Sequence, residues 1–373
     1  MIDSENQPLG KHEWMRCMEG FAVQFKPFWD GMLNNSEQAQ VEATTVEDDV
    51  VVALIDDGVM PLDNFLAERV LPGKTFDYHG DAVGQWYNSA QGHGSEMAKL
   101  ILRVCPMAKI YPIRLKTYTS ATGESTIDLE SAALAIQAAR EKNASIISMS
   151  WSIPVPTGEE HRRARKLFEN AIDDACRDQR ILFCSSPDKG QFTTNTYPSN
   201  VKRDSLFRIG AAKDDGTPFR YVDKDVDYIF PGVNVHVGAE TGDRQGPPSE
   251  ITGSSVATAL AAGLAATIIY CFKTSTLANL IAWRQPDPAD AMPIIQFLER
   301  HVQSISEFPA MKTAFSKIGD INDARFIQVW DLFEPVSKIL ANPKKSPEDK
   351  VDSILLLCAN LVDWKREIRG FLR

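Results

Sequence analysis

At 373 residues, with 43% hydrophobic and 24% charged side chains, the chain suits one large domain with additions or two domains, and wholesale disorder is excluded. Forty Lys and Arg against 50 Asp and Glu give a net charge of −10, which excludes the basic footprint of a nucleic-acid binder. From Ser275 onward 13 basic residues balance 13 acidic ones, so an acidic body carries the whole imbalance and a neutral region follows it.

The first residues, Met1-Ile2-Asp3-Ser4-Glu5-Asn6, are polar and acidic, unlike a signal peptide. Trp14, Met18, Phe21, Phe25, Phe28 and Met32 follow at helical spacing, interrupted by Pro27, and predict a lead-in helix or two. Asn34 to Asp48 reads as a linker. The β-branched run from Val50 to Ile55 predicts a central parallel strand covered on both faces. Strands expected at 110–113, 146–149, 181–184 and 207–211 alternate with helices expected at 96–104, 129–142 and 162–179. That grammar is α/β, a doubly wound, mostly parallel sheet flanked by helices, with the site at the strand C-terminal ends. The longest apolar stretch, Ala257 to Phe272, has 16 residues, short of the ~20 that span a bilayer. Beyond Lys273, periodic apolar residues in 288–304, 310–318, 324–340 and 347–361 predict an all-helical extension. The expected division is 1–47 (helical lead-in and linker), 48–274 (sheet domain) and 275–373 (helical extension).

Six cysteines show no CxxC and no paired spacing, and several sit inside apolar runs. Buried reduced thiols and a cytoplasmic location are the expectation.

Three segments carry chemistry. Asp56 ends a buried strand in Ile55-Asp56-Asp57-Gly58, His93 precedes a helix in Gly92-His93-Gly94-Ser95-Glu96, and Ser255 opens another in Gly253-Ser254-Ser255-Val256-Ala257. Each alone has a plain reading, as a turn, a surface histidine and a helix cap. Together they supply an orienting carboxylate, a base and a nucleophile at a helix start, where free N–H groups face a developing oxyanion. With those residues quoted, the chain resembles the subtilisin-like serine proteases, the subtilases. Asp56, His93 and Ser255 fall in that family's Asp, His and Ser motifs, in order, with separations of 37 (93 − 56) and 162 (255 − 93). Ile147-Ser148-Met149-Ser150 resembles the strand lining its substrate groove, and Phe230-Pro231-Gly232-Val233 the segment ahead of its serine. The similarity covers about residues 48–272.

The resemblance implies a serine endopeptidase with Asp56 orienting, His93 as base and Ser255 as nucleophile. Ser254 stands at a family Thr position, where its hydroxyl can assist the oxyanion. At the family's oxyanion Asn the chain has Asp188, as some subtilases do, intracellular fungal-type members among them. An ionised Asp donates no hydrogen bond, so Asp188 is expected to temper the enzyme or shift it toward acid. Ser150, Trp151 and Ser152 replace the usual groove segment, with a large ring at Trp151. The stretch after His93 is shorter than in the bacterial members, which implies that their tight calcium site is absent. No metal or cofactor is expected. The implied partner is a protein or peptide substrate, not nucleic acid or a membrane, with room left for regulatory domains or partner proteins, because no family-like propeptide precedes Asp56. Two other readings compete: a pseudoprotease or regulatory module that keeps the fold for binding, and an acyl-transfer or ligase variant. His79, His236 and His301 lack ligand spacing for a metal. The basic run Arg162–Lys166 reads as a solvated helix face behind two Glu.

Overall fold

The computed structural model describes residues 12–38, 44–61, 64–89, 91–119, 125–188, 195–202, 204–223, 225–237, 250–283, 297–319 and 325–362. Its centre is a seven-stranded sheet: β1 (Val51–Asp56), β2 (Lys74–Thr75), β3 (Lys109–Arg114), β4 (Ile146–Met149), β5 (Ile181–Ser185), β6 (Phe207–Ala212) and β7 (Tyr228–Pro231), in the order β7-β6-β5-β4-β1-β3-β2. Every pairing within it is parallel. The direction of winding reverses at β1, which lies between β3 and β4, so the crevice favoured for a site opens where these strands end.

The strand sequences alternate between two cores. Val52 and Leu54 of β1 face one apolar cluster, and Ala53 and Ile55 face the other. The second cluster is covered by α3 (Leu129–Glu141) and α4 (Arg162–Arg177). Against the first lie α1 (Glu13–Gln38), α2 (His93–Val104) and α5 (Ser254–Trp283). The extension adds α6 (Glu299–Ile305), α7 (Phe308–Ile318), α8 (Trp330–Ala341) and α9 (Pro347–Leu361) on that same side. The portion of the expected 288–304 helix between 288 and 296 lies outside the described residues.

The lead-in periodicity forms a single 26-residue helix with Pro27 inside it, and the stretch read as a linker from Asn34 contains the end of that helix and a short helix, Thr44–Glu47. Proline normally breaks a helix interior, but here a continuous apolar face outweighs it. Trp14, Phe21 and Phe25 are all buried, Phe21 meets Phe333 of α8, and the Trp14 indole N–H donates to the Ile327 carbonyl. The extension docks on the sheet as well: Phe315 of α7 packs against Phe183, Phe207 and Phe230.

Helix α5 corrects a second expectation. The apolar stretch is part of a 30-residue helix that continues through Lys273-Thr274-Ser275-Thr276. By length and composition it could cross a membrane, yet 94% of its most apolar window is buried within the fold. Its charged residue is satisfied inside: the Lys273 ammonium donates to the carbonyls of Val46 and Asp48, just ahead of β1. Burial pushes that ammonium down to about 8.

Candidate active site

Asp56 is the last residue of β1 and only 6% exposed. Its carboxylate accepts the backbone N–H of Asp57 at 2.8 Å and the Nδ1–H of His93, 2.8 Å from Oδ1 and 3.0 Å from Oδ2. The neighbouring Asp57 serves a different end. It accepts the hydroxyl of Ser89 and the backbone N–H groups of Gln91 and Gly94, all within 2.8 Å.

That bond to Gly94 explains where α2 begins. Local capping rules favour a start at Ser95 or Glu96, but the helix opens at His93 itself. The cap is a carboxylate from 37 residues earlier (94 − 57), with Gly92 at φ +82° turning the chain in and giving no side-chain cap. Ser95 is occupied elsewhere, accepting the N–H of Met60. The approach is too close for a side chain at 94: a Cβ there would sit 2.2 Å from the Gly58 carbonyl oxygen.

The buried carboxylate of Asp56 pushes His93 up to about 9 from an ordinary 6.5, against the opposing pull of burial, with Asp57 and Glu96 adding to the rise. Because the folded value lies above the unfolded one, the ion pair contributes stability in full below pH 6.5 and loses it as pH rises through about 9. Burial pushes Asp56 itself up, and the imidazolium opposes that. A reaction that needs neutral His93 should therefore speed up as pH climbs toward and past about 9. A pH profile of fluorophosphonate labelling measures this, and a profile already flat by pH 7 contradicts it.

Ser254 and Ser255 open α5. This helix packs on α2, and small Gly263 makes the contact possible, because a Cβ there would come within 2.8 Å of Val104. Val104 lies 11 residues past His93 (104 − 93) and Gly263 lies 9 past Ser254 (263 − 254), so the two helix starts are roughly level. The bonds of the His93 ring go to Asp56, and among the described residues none joins it to Ser255. Such catalytic hydrogen bonds are commonly long in unliganded sites.

Asp188, after β5, turns both carboxylate oxygens to Ser254. Oδ2 accepts the backbone N–H at 2.7 Å and Oδ1 the hydroxyl at 2.6 Å, while that hydroxyl accepts the Ala211 N–H at 3.1 Å. Asp188 is thus a cap brought to α5 from a distant part of the chain. Burial raises its pKa, and the two bonds from Ser254 act against the rise. A Cβ on Gly253 would lie 3.2 Å from Ser255 Oγ and 3.5 Å from Asp188 Oδ2, so both groups flank the same glycine.

The groove residues are split. Ser150 is buried, its hydroxyl without a hydrogen-bond partner among the described residues, and Ser152 is partly exposed. The Trp151 ring is turned inward. It is 9% exposed, packs near Phe168, and donates its indole N–H to the Ile55 carbonyl at 2.9 Å. Pairing of β1 with β4 stops at Leu54 and Ser148, and the indole meets the next carbonyl beyond it. Asp57 is the residue that motif reading undervalued, since it looks like turn chemistry until its three partners are seen. Among the described residues, no cluster of three or more His, Cys, Asp or Glu is arranged to hold a metal ion.

The sequence profile of the subtilase family matches residues 47–285. Among solved structures, a lanthipeptide protease is similar with 18% identity, over 77% of this chain and 87% of that one, at a TM-score of 0.55. The subtilase cytotoxin SubAB is similar with 16% identity, over 86% and 94%, at a TM-score of 0.50. Both likenesses concern the fold. No curated protein matches the chain in sequence.

Proposed function

The chain belongs to the subtilase family, and from that premise we propose that it is a serine endopeptidase working through Asp56, His93 and Ser255. The observation that carries the reading is the buried Asp56 carboxylate holding His93 Nδ1–H at 2.8 Å. It fixes the tautomer that leaves Nε2 as the proton acceptor. In this scheme Ser255 Oγ attacks the scissile carbonyl as its proton passes to Nε2, and Asp56 stabilises the resulting imidazolium. The tetrahedral intermediate collapses, His93 returns the proton to the leaving amine, and an acyl-serine remains. Water, deprotonated by His93, then releases the second product. In this scheme the Ser255 N–H in the first turn of α5 stabilises the oxyanion, since those of Ser254 and Val256 already donate to Asp188 and to the Gly253 carbonyl.

Asp188 makes the proposed enzyme a slow one at neutral pH. While ionised it donates nothing to an oxyanion, and both its oxygens are taken by Ser254. Asp188, together with six free cysteines that suit a reducing compartment, supports placing the chain beside the intracellular fungal-type subtilases, in the cytoplasm. The same committed carboxylate favours the second reading, a fold kept for binding. A fluorophosphonate probe separates the two. Labelling that disappears in Ser255→Ala supports the peptidase, and no Ser255-dependent labelling at any pH sinks it.

A further inference from the structure

The loop that delivers His93 is held by a residue that plays no part in the proposed chemistry. Arg114 ends β3, in register with Asp56 of β1, and its side chain is 12% exposed. Its guanidinium makes an ion pair with Asp77 at 2.7 Å, and Asp77 is itself only 6% exposed. The same guanidinium donates to two backbone carbonyls, Gln85 at 3.1 Å and Asn88 at 2.6 Å. The segment between those carbonyls and His93 is then fastened to the end of β1. Val59 N–H donates to the Trp86 carbonyl, and Ser89 and Gln91 donate to Asp57.

The packing leaves no slack. A Cβ on Gly84 would sit 2.0 Å from Asp77 Oδ2 and 2.8 Å from Arg114 Cζ. A Cβ on Gly58, at φ +107°, would sit 2.5 Å from the Asn88 carbonyl oxygen. Asp77 is tied from its other side by His79 Nε2, 2.8 Å from Oδ1. One planar, forked cation therefore holds a buried carboxylate and two carbonyls at once, a task that a lysine ammonium cannot reproduce.

We propose that Arg114 is a positioning residue for His93: its fork sets residues 85–89, which together with Gln91 are bonded to the Asp57 region, so that α2 starts with the imidazole against Asp56. The proposal rests on the reading of His93 as the base. Misplacement of a reacting group by about 1 Å typically costs on the order of 100-fold, so a partial slackening should cost about tenfold.

The test uses the full chain with Arg114→Lys and Asp77→Asn. Three measurements are made: melting temperature, the pH profile of fluorophosphonate labelling at Ser255, and the low-field proton resonance of the His93 Nδ1–H. Arg114→Lys keeps a cation beside Asp77 but releases a carbonyl. It should still melt cooperatively, label about tenfold more slowly with a displaced pH midpoint, and shift or broaden the resonance. Asp77→Asn keeps the size of the buried group while freeing the guanidinium, and must move the same two readouts in the same direction. If Arg114→Lys fails to fold, Asp77→Asn decides alone. Wild-type profiles and an unmoved resonance in the folded variants overturn the proposal, because a purely structural role would change only the melting temperature. Failure of the wild type to label would overturn the peptidase reading alone, since the resonance reports the Asp56–His93 geometry without any substrate.

Discussion

Ser255→Ala is expected to lower peptide hydrolysis by about 10⁵–10⁶-fold while leaving the fold intact. The magnitude follows from what the residue does in the proposed scheme: without Oγ there is no acyl-enzyme, and only oxyanion and binding contributions survive. The fold should tolerate the change, because Ser254, not Ser255, makes the bonds to Asp188 and Ala211 that anchor the start of α5. Groups that act as a unit are non-additive, so Ser255→Ala combined with His93→Ala should lose little more than either alone. Single-turnover assays with a peptide ester and a peptide amide measure this. Substantial residual amide hydrolysis in Ser255→Ala would place the nucleophile elsewhere.

Asp188→Asn carries the second large effect, and its expected sign is a gain. An Asn in the observed position keeps one acceptor for the Ser254 N–H and puts an amide where Oδ1 now faces the Ser254 hydroxyl. That hydroxyl accepts from Ala211 and can accept again, which leaves an amide hydrogen for the oxyanion. A donor of this kind is worth about 2.7–4 kcal/mol in the transition state, or about 10²–10³-fold in rate. In the proposed scheme the unsubstituted protein has opposed requirements, since His93 must be neutral to act as base while Asp188 must be protonated to donate. With His93 held up near 9 by Asp56, the two requirements pull in opposite directions along the pH axis. Asp188→Asn removes the acid-side requirement, so its rate should rise most at alkaline pH. Peptidase rates for both proteins across pH 5 to 10 decide the matter, and an unchanged profile rules out an oxyanion role for position 188.

Much of this was legible in the sequence, for reasons that differ by element. Strand β1 could be read because its apolar run is continuous, as burial on both faces demands. The helix ending at Leu361 could be read from its periodic apolar residues, and the capping box of Ser346 and Asp349 at its start agrees with that reading. What escaped was non-local. The start of α2 depends on Asp57, and the start of α5 on Asp188, 66 residues earlier (254 − 188), so no rule confined to a window could find either. The inward turn of the Trp151 ring was not legible, because motif alignment says where a backbone runs, not which way a ring turns. The docking of the extension was also invisible: an amphipathic period shows that a helix has a buried face but names no partner for it.

Helix α5 has a consequence for how this protein can be divided. The serine that would be acylated stands at one end of a single 30-residue rod, whose far end is gripped by the extension and by the segment ahead of β1. Asn279 donates to the Phe297 carbonyl, and Phe272 meets the Phe297 ring edge-on. A chain trimmed at residue 274 would bare Phe272 and sever the rod before Leu277, a residue with no exposed surface. The proposed nucleophile and the helical extension are therefore joined through one helix, and a fragment made to test the proposed chemistry has to keep its tail.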